Sequence, residues 1–211
     1  MRLTNFHIEN DSIALNHNGK YLDLHNNFDF RGFSYDTSSN QLELIWTRSH
    51  EEWANENICG FKLVFKHIIF LKIRERDNSL PMTDDTCLSL IGFLPQDLRD
   101  EFDSFVEIKN MTDTDDLNIS FQGDQAFKIN CSSVEFVEIN EEVIYVLITK
   151  EVVDVWRPMW AVKVSESVYK IKMFANYDPT DEELQFKPDE IVVCEKQKRS
   201  GTQVLVAIKK K

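Results

Sequence analysis

Short segments with apolar residues at every second position recur along the chain, and they constrain its fold more than any other feature. In QLELIWTR, Leu42, Leu44 and Trp46 occupy alternate positions. A repeat of two residues places such side chains on one face of a β-strand. The preceding segment FDFRGFSYD (28–36) repeats the pattern, and the polar sequence DTSSN between the two predicts a hairpin loop. Together the segments predict an antiparallel pair with one buried face.

Further segments of the same kind predict strands through much of the chain. Their ranges are 60–76, 117–122, 126–131, 133–139 and 143–149. In the first of them, Phe61, Leu63 and Phe65 alternate, but the phase is lost at residues 67–69. A β-bulge, a short bend or the start of a second strand accounts for this loss. The polar residues GDQ between the second and third segments predict another hairpin.

One segment has helical periodicity instead. Its apolar residues are spaced i, i+4, i+7 and i+8, which places them on one face of a helix. They are Leu98, Phe102, Phe105 and Val106. Pro95 precedes them at a position that suits the first turn of a helix. We therefore predict one helix over about 95–106, with this face buried against the N-terminal sheet.

The last part of the chain holds four more strand candidates within a short length. Their ranges are 156–164, 168–174, 189–196 and 203–210. Four or five short strands bury little surface as a flat sheet, because both edges and both faces remain open to water. A small closed or half-closed barrel removes the edges. The sequence therefore predicts a barrel-like C-terminal module.

The distribution of charge predicts where this module begins. Residues 1–148 contain 12 Lys and Arg against 26 Asp and Glu, a net charge of −14, whereas residues 149–211 contain 12 against 10. Such a shift is typical of a domain boundary. We predict a mainly β protein with an acidic N-terminal domain over 1–148, either a β-sandwich or a curled antiparallel sheet. A small β-barrel-like domain then occupies 149–211.

Composition argues against several classes of function. Binding to nucleic acid requires basic surface, and the acidic N-terminal part disfavours it. No apolar run reaches the length of about 18 residues that spans a bilayer, and the first residues do not resemble a secretory signal. The four cysteines lie far apart in the sequence, which is typical of reduced thiols in a cytosol. We expect a cytoplasmic protein without membrane contact.

Catalytic and metal-binding patterns are not found in the sequence. His50 is followed by two Glu, but Ala54 stands where a zinc-binding HExxH helix needs its second His. The acidic stretch 113–116 lacks the Gly and the closing Glu of a calcium loop, which predicts a surface loop. Cys87 and five His allow many nucleophile pairings, and none is singled out. We expect no catalytic residue, no cofactor and no structural metal.

Six residues of the C-terminal part are candidate contacts for a partner or ligand. They are Trp156, Arg157, Trp160, Asp178, Asp181 and Glu182. We expect one Trp to cap the barrel and the other to pack against the N-terminal part, and the alternative is an aromatic platform for a ligand. The acids at 178–182 fit a capped helical turn or a cation contact.

Two resemblances bear on function. The segments VWRPMWA (155–161), YKI (169–171), FKPDEIVVCE (186–195) and VLVAI (204–208) are similar to a small barrel module of uncharacterised bacterial proteins. Such modules usually carry a Gly after the Pro of FKPDE, where this chain has Asp189. The acidic, hairpin-rich front part resembles the small β-rich immunity proteins that bacteria use against rival toxins. This resemblance implies binding without catalysis.

Taken together, the sequence predicts a non-catalytic binding protein of a bacterial cytosol. Its acidic face would engage a basic protein partner, since complementary charge speeds encounter and selects partners. Two alternatives remain at this point. One is an enzyme with its site in a cleft between the two domains, and the other is a structural subunit of an assembly. The sequence does not decide the oligomeric state.

Overall fold

The computed structural model describes residues 1–49, 51, 53–54, 58–102, 110–151, 153–173, 183–199 and 201–211. By its internal contacts the chain divides into two compact units. The first extends from Met1 to Ile139 except for short stretches just before Gly60, and the second comprises those stretches and Asn140–Lys211.

Both units are built from β-strands, as the alternating pattern predicts. The first unit contains β1 (Arg2–Thr4), β2 (Phe6–Ile8), β3 (Ala14–His17), β4 (Lys20–Asp23), β5 (Phe28–Asp36), β6 (Gln41–Arg48), β7 (Gly60–Arg74), β8 (Leu88–Leu94), β9 (Asp116–Phe121) and β10 (Ala126–Ile139). The second contains β11 (Glu141–Ile148), β12 (Val155–Ser165), β13 (Val168–Ile171), β14 (Ile191–Arg199) and β15 (Thr202–Lys210). The short 3-10 helices η1 (Met82–Thr86) and η2 (Gln96–Leu98) lie in the first unit. None of the helices described is long and apolar enough to cross a membrane.

The large sheet of the first unit curls around an aromatic core. Its strand order is β5-β6-β7-β10-β9-β8, and β1 pairs with β10. Trp46 on β6 stacks on Phe61 of β7, with ring centroids 5.2 Å apart. Phe30 on the terminal strand β5 lies 4.4 Å from the ring of Phe121 on β9, across the interior. Since β5 and β9 are distant in the strand order, this contact shows that the sheet is strongly curled.

The loss of alternation in β7 is a β-bulge, and one continuous strand passes through it. The register with β10 shifts between Asn130 and Cys131, opposite Ile68 and Phe70. His67 adopts a left-handed backbone conformation, with φ of 56°. The bulge accounts for the lost alternation without ending the strand.

A second sheet of three short strands packs on the first. β2, β3 and β4 form an antiparallel meander. His17 on β3 stacks on Phe136 of β10, with ring centroids 4.2 Å apart. The amide of Asn5 donates to the carbonyl oxygen of Phe136 at 2.9 Å, and its oxygen accepts from the Phe136 N–H at 3.1 Å. These contacts fix the small sheet on the large one.

The predicted helix is replaced by a turn over the residues that can be described. Pro95 precedes η2, and residues 99–102 continue as a turn and a bend, while 103–106 lie outside the described residues. The reason is Lys128, which is fully buried on β10. Its ammonium donates to the carbonyl oxygens of Leu98 at 2.7 Å and Arg99 at 3.0 Å, and to that of Glu101. These carbonyls bind the lysine instead of serving a helix. Of the face predicted to be buried, Phe102 is buried, whereas Leu98 is only partly buried.

The second unit is a closed five-stranded barrel. Its strand order is β11-β12-β13-β14-β15, and a parallel pairing of β11 with β15 closes it. Its core is formed by inward side chains of all five strands, among them Ile144, Met159, Ile171, Val192 and Leu205.

The sequence misplaces the beginning of this unit. The predicted boundary at 148/149 left β11 in the N-terminal domain, whereas the units divide between Ile139 and Asn140. β11 pairs with β12 along its whole length and with β15 on its other side, so it belongs to the barrel. The boundary was predicted from the change in net charge along the sequence. That change does not coincide with the structural boundary, because the acidic residues Glu141 and Glu142 belong to the barrel.

Candidate binding surfaces

An exposed tyrosine among carboxylates marks one side of the small sheet. Tyr21 on β4 is 48 % exposed, and its hydroxyl donates to Asp11 Oδ2 at 2.5 Å. Glu9 lies at the end of β2, where it accepts from the Asn16 amide at 2.9 Å. Asp23 is two residues beyond Tyr21 on β4. These residues are brought together because β2, β3 and β4 are consecutive antiparallel strands.

A tryptophan extends this surface. Trp53 is 65 % exposed, and its indole N–H donates to the backbone oxygen of Asn26 at 3.2 Å. Asn26 in turn donates through its backbone and side-chain nitrogens to the carboxylate of Asp23, both at 2.9 Å. Trp53 therefore lies next to the turn that follows β4. We call Glu9, Asp11, Tyr21, Asp23 and Trp53 the acidic face.

The negative charge of this face affects the pKa of Tyr21. The pKa of Tyr21 is raised to about 12, first by the hydrogen bond to Asp11, then by burial and by the charges of Asp11, Asp23 and Glu9. Removing the phenol proton would add a negative charge where carboxylates already lie. The tyrosine therefore remains a neutral donor near pH 7, and the face combines negative charge with aromatic surface.

A cysteine and a histidine meet close to this face. Cys87 Sγ lies 3.6 Å from Nδ1 of His25. That ring nitrogen also lies 2.6 Å from the carbonyl oxygen of Leu88, which only accepts, so Nδ1 carries a proton. Burial raises the pKa of the Cys87 thiol, and the charges of Asp84, Asp29 and Asp23 act in the same direction. An activated cysteine needs a lowered pKa. This pair is therefore not arranged as a nucleophile and its base.

The tryptophans singled out in the sequence lie on the barrel. Trp156 and Trp160 share the outer face of β12, since the intervening Met159 points into the core. Trp156 is half-buried, and the guanidinium of Arg199 lies 4.3 Å from its ring centroid. Trp160 is 56 % exposed. The other three candidates, residues 178, 181 and 182, lie outside the described residues.

A shallow groove runs beside Trp160. Its volume is about 400 Å³, and it is lined by Glu141, Arg157, Pro158, Met159, Trp160, Lys172 and Met173. The ammonium of Lys172 lies 2.9 Å from both carboxylate oxygens of Glu141. Because these opposite charges neutralise each other, the groove offers apolar surface without the strong charge of the acidic face. Arg157 lines it, and Trp160 forms its exposed wall.

The acidic stretch 113–116 has a structural role that the sequence did not reveal. Asp116 is fully buried and accepts from Arg99 Nε at 2.7 Å and Nη2 at 2.9 Å. Asn130 also donates to Asp116, at 2.9 Å. Asp115 accepts from the backbone N–H of Thr112 at 2.7 Å. Within the described parts of the chain, no group of three or more His, Cys, Asp and Glu side chains is placed to hold a metal ion.

The acidic face was missed in the sequence, although a signal was present. Asn18 and Gly19, with φ of 52° and 77°, form the turn between β3 and β4. An Asn-Gly pair between strand-like segments is a strong hairpin signal. Reading it would have placed Tyr21 and Asp23 on a short strand paired with residues 14–16. Comparison with protein-family models, with curated proteins and with solved structures gives no match to this chain.

Proposed function

We propose that this chain is a non-catalytic binding protein of a bacterial cytosol, and that its acidic face engages a basic protein partner. The observation that supports this most directly is the placement of the exposed Tyr21 among Glu9, Asp11 and Asp23, with the exposed Trp53 held at Asn26 in the turn that follows β4.

The carboxylates supply the attraction. Complementary charge across an interface raises association rates and disfavours partners of the wrong sign. The whole chain carries a net charge of −12 at pH 7, and the acidic surplus lies within residues 1–148. A small domain needs a net charge of only about 2–8 in magnitude for solubility. Charge beyond that is costly through self-repulsion, so its retention fits a role in steering.

The aromatic residues supply the affinity. Interface residues that dominate binding are enriched in Trp and Tyr, which bury a large area with few rotatable bonds. Trp53 is the more exposed of the two and is held through its indole by Asn26. A side chain already fixed in orientation loses less entropy on binding. The resemblance of the front part to bacterial immunity proteins, which block toxins by binding, supports the same function.

The Cys87–His25 pair gives no support to the enzymatic alternative, because its thiol pKa is raised and its histidine nitrogen is already a donor to Leu88. The groove at Trp160 lacks the surplus of charge that would steer a basic partner. We therefore place the partner contact on the acidic face.

The experiment compares capture of proteins from a lysate of the native host by three immobilised forms of the chain. These are the wild type, a Glu9→Lys/Asp11→Lys variant of the acidic face and a matched Glu75→Lys/Asp97→Lys variant. Both acids are exposed. Glu75 directly follows β7, and Asp97 lies in η2. Both variants change the net charge equally. We expect a basic protein that the wild type and the matched variant retain and the acidic-face variant loses.

The captured protein is then purified and its association measured in a salt series. The rate should fall with added salt, because screening acts over about 10 Å at 0.1 M ionic strength. Trp53→Ala should weaken binding by about 2 kcal/mol or more, the magnitude typical of a central aromatic contact, and Trp160→Ala should leave it unchanged. A partner whose binding responds to Trp160→Ala and not to changes in the acidic face would contradict the proposal.

A further inference from the structure

The groove beside Trp160 lies where β12 extends beyond its neighbour in the barrel. β13 pairs with β12 from Ala161 to Ser165, and the backbone N–H of Lys172 still donates to the carbonyl oxygen of Trp160 at 2.8 Å. Among the described strands, none pairs with this side of β12 before Trp160. Residues 157–160 line the groove together with Lys172 and Met173, which directly follow β13. The groove is therefore formed by residues of the barrel unit.

A proline in this part of β12 disfavours an added strand as the occupant of the groove. Residues two apart on a strand direct their backbone groups to the same side. Pro158 therefore faces the side on which the Trp160 carbonyl accepts from Lys172. Proline has no N–H to donate, and on a strand edge it blocks pairing with a further strand. The groove thus suits a ligand that is held by side chains.

The apolar lining of the groove favours an aromatic group. Trp160 is 56 % exposed and Met173 is 62 % exposed, and the core residue Met159 lies between Pro158 and Trp160 in the lining. Thioether sulfurs make favourable contacts with aromatic rings, and an indole packs well against another ring. An aromatic ligand would therefore contact one tryptophan and two methionines.

The charged lining residues favour an anion. They are Arg157, Lys172 and Glu141, two cations and one carboxylate with a net charge of +1. The Lys172 ammonium lies 2.9 Å from both carboxylate oxygens of Glu141, so these two charges offset each other. Arg157 supplies the positive surplus, and a planar guanidinium matches a carboxylate through two parallel N–H donors. The groove therefore complements a carboxylate, although the whole chain carries a net charge of −12.

The size of the groove fits a small molecule. Its volume of about 400 Å³ lies within the range of about 300–1,000 Å³ that is typical of small-molecule sites. Arg157 and Trp160 are three residues apart on β12, which is about 10 Å along a strand. A ligand that contacts both residues therefore needs a rigid body between its ring contact and its carboxylate, as a fused two-ring acid has.

We propose that the groove beside Trp160 binds a small aromatic carboxylate, with its ring against Trp160, Met159 and Met173 and its carboxylate at Arg157. This ligand site lies in the barrel unit, whereas the acidic face lies in the first unit apart from Trp53. The proposal therefore adds a small-molecule site to the protein-binding function and does not depend on it.

Calorimetric titration of the full chain with 2-naphthoate tests the chemistry of the ligand. The ionic strength is 0.15 M, where a Debye length of about 8 Å screens distant acids. We expect saturable binding of one molecule per chain with a Kd of about 1 mM or lower. Three compounds are matched controls. 2-Naphthylmethylammonium reverses the charge, cyclohexanecarboxylate lacks the aromatic rings, and N-acetyltryptophanamide resembles an aromatic residue of a peptide. Each should bind at least tenfold more weakly.

Substitutions assign the binding to the groove. Arg157→Gln and Trp160→Leu should each weaken 2-naphthoate at least tenfold, because they remove the cation and the exposed ring. Lys198→Gln removes an exposed cation of the barrel that does not line the groove. Trp53→Leu removes an exposed tryptophan of the acidic face. Both of these control variants should leave the Kd unchanged, and circular dichroism compares the fold of all four variants with that of the wild type.

The ligand site and the proposed function can fail separately. The Glu9→Lys/Asp11→Lys variant should bind 2-naphthoate with an unchanged Kd, although it should lose the basic partner. A chain that shows no saturable binding at concentrations tenfold above the expected Kd would overturn the proposal of a ligand site. So would equal affinity for any of the three control compounds, or an unchanged Kd in either Arg157→Gln or Trp160→Leu.

Discussion

At the scale of single residues, the hydrogen bond between Tyr21 and Asp11 links the local structure to the electrostatics of the acidic face. The Tyr21 side chain is 48 % exposed, yet its hydroxyl lies 2.5 Å from Asp11 Oδ2. A short contact of this kind favours the neutral phenol, since only the neutral form donates. Tyr21 is therefore a reporter of the negative charge around it.

This contact predicts a titration that can be measured. In ultraviolet titration of the folded chain, one tyrosine should ionise near pH 12, about the pKa of Tyr21, and its signal should be missing in Tyr21→Phe. Asp11→Asn should move this pKa towards the ordinary value of 10.0, because the charged acceptor is removed. A raised pKa means that the folded state holds the proton more tightly. The associated stabilisation is complete below pH 10 and is lost as the pH rises from 10 to 12.

The control is Tyr35, whose hydroxyl donates to the neutral Asn40. Its substitution by Phe should leave the titration near pH 12 in place. If that signal persists in Tyr21→Phe, or if Asp11→Asn does not shift it, the carboxylates do not surround Tyr21 as described.

Single residues also mark the limit of sequence reasoning. The buried ion pair of Asp116 with Arg99 and the carbonyl contacts of Lys128 depend on a loop folding back over the sheet. Neither is encoded in local periodicity, because charged residues are usually solvated and a sequence does not show which ones are covered. The same tertiary contacts explain why the helical pattern at Leu98 and Phe102 does not give an α-helix in the described residues.

At the scale of elements, local signals were sufficient where a strand pairs with its neighbour in sequence. The hairpins β5–β6 and β9–β10 and the bulge of β7 all follow from alternation and turn residues. Pairings between segments that are distant in the sequence could not be predicted from these local signals. β10 pairs with β1 and β7, and β11 pairs with β15, because of how the sheets close. The boundary at 148/149 failed for that reason, since β11 has the same pattern whichever sheet it joins.

The turn between β3 and β4 allows a test of how the small sheet is fixed. Gly19 has φ of 77°, and a Cβ added there would meet no atom within 4 Å. Any cost of substitution therefore comes from the backbone conformation. Gly19→Val should destabilise the chain by about 1–2 kcal/mol, since a left-handed conformation is unfavourable for residues with a Cβ and most so for β-branched ones. Chemical denaturation measures this difference.

Gly19→Asn is the matched substitution, because Asn tolerates the left-handed region. It should cost clearly less than Gly19→Val. Equal losses for the two variants would show that space, rather than backbone conformation, limits this position.

At the scale of the whole molecule, the two units differ in how they close their sheets. In the first, β5 ends the large sheet and pairs with β6 alone among the described strands, whereas the second closes through the pairing of β11 with β15. Closure removes unpaired edges and makes a small sheet self-sufficient. The barrel therefore meets its own hydrogen-bonding requirements with the strands of residues 140–211.

This self-sufficiency predicts which fragment of the chain folds. A fragment of residues 140–211 contains all five barrel strands and should unfold cooperatively on heating, as followed by circular dichroism. A fragment of residues 149–211 lacks β11, so β12 and β15 each lose a pairing partner and the core loses Ile144 and Val146. Truncating a single buried aliphatic residue costs about 2–5 kcal/mol, comparable with the whole stability of a small domain. The shorter fragment should therefore show no cooperative transition. Equal behaviour of the two fragments would mean that β11 is dispensable to the barrel and that the boundary at Asn140 does not divide independent folding units.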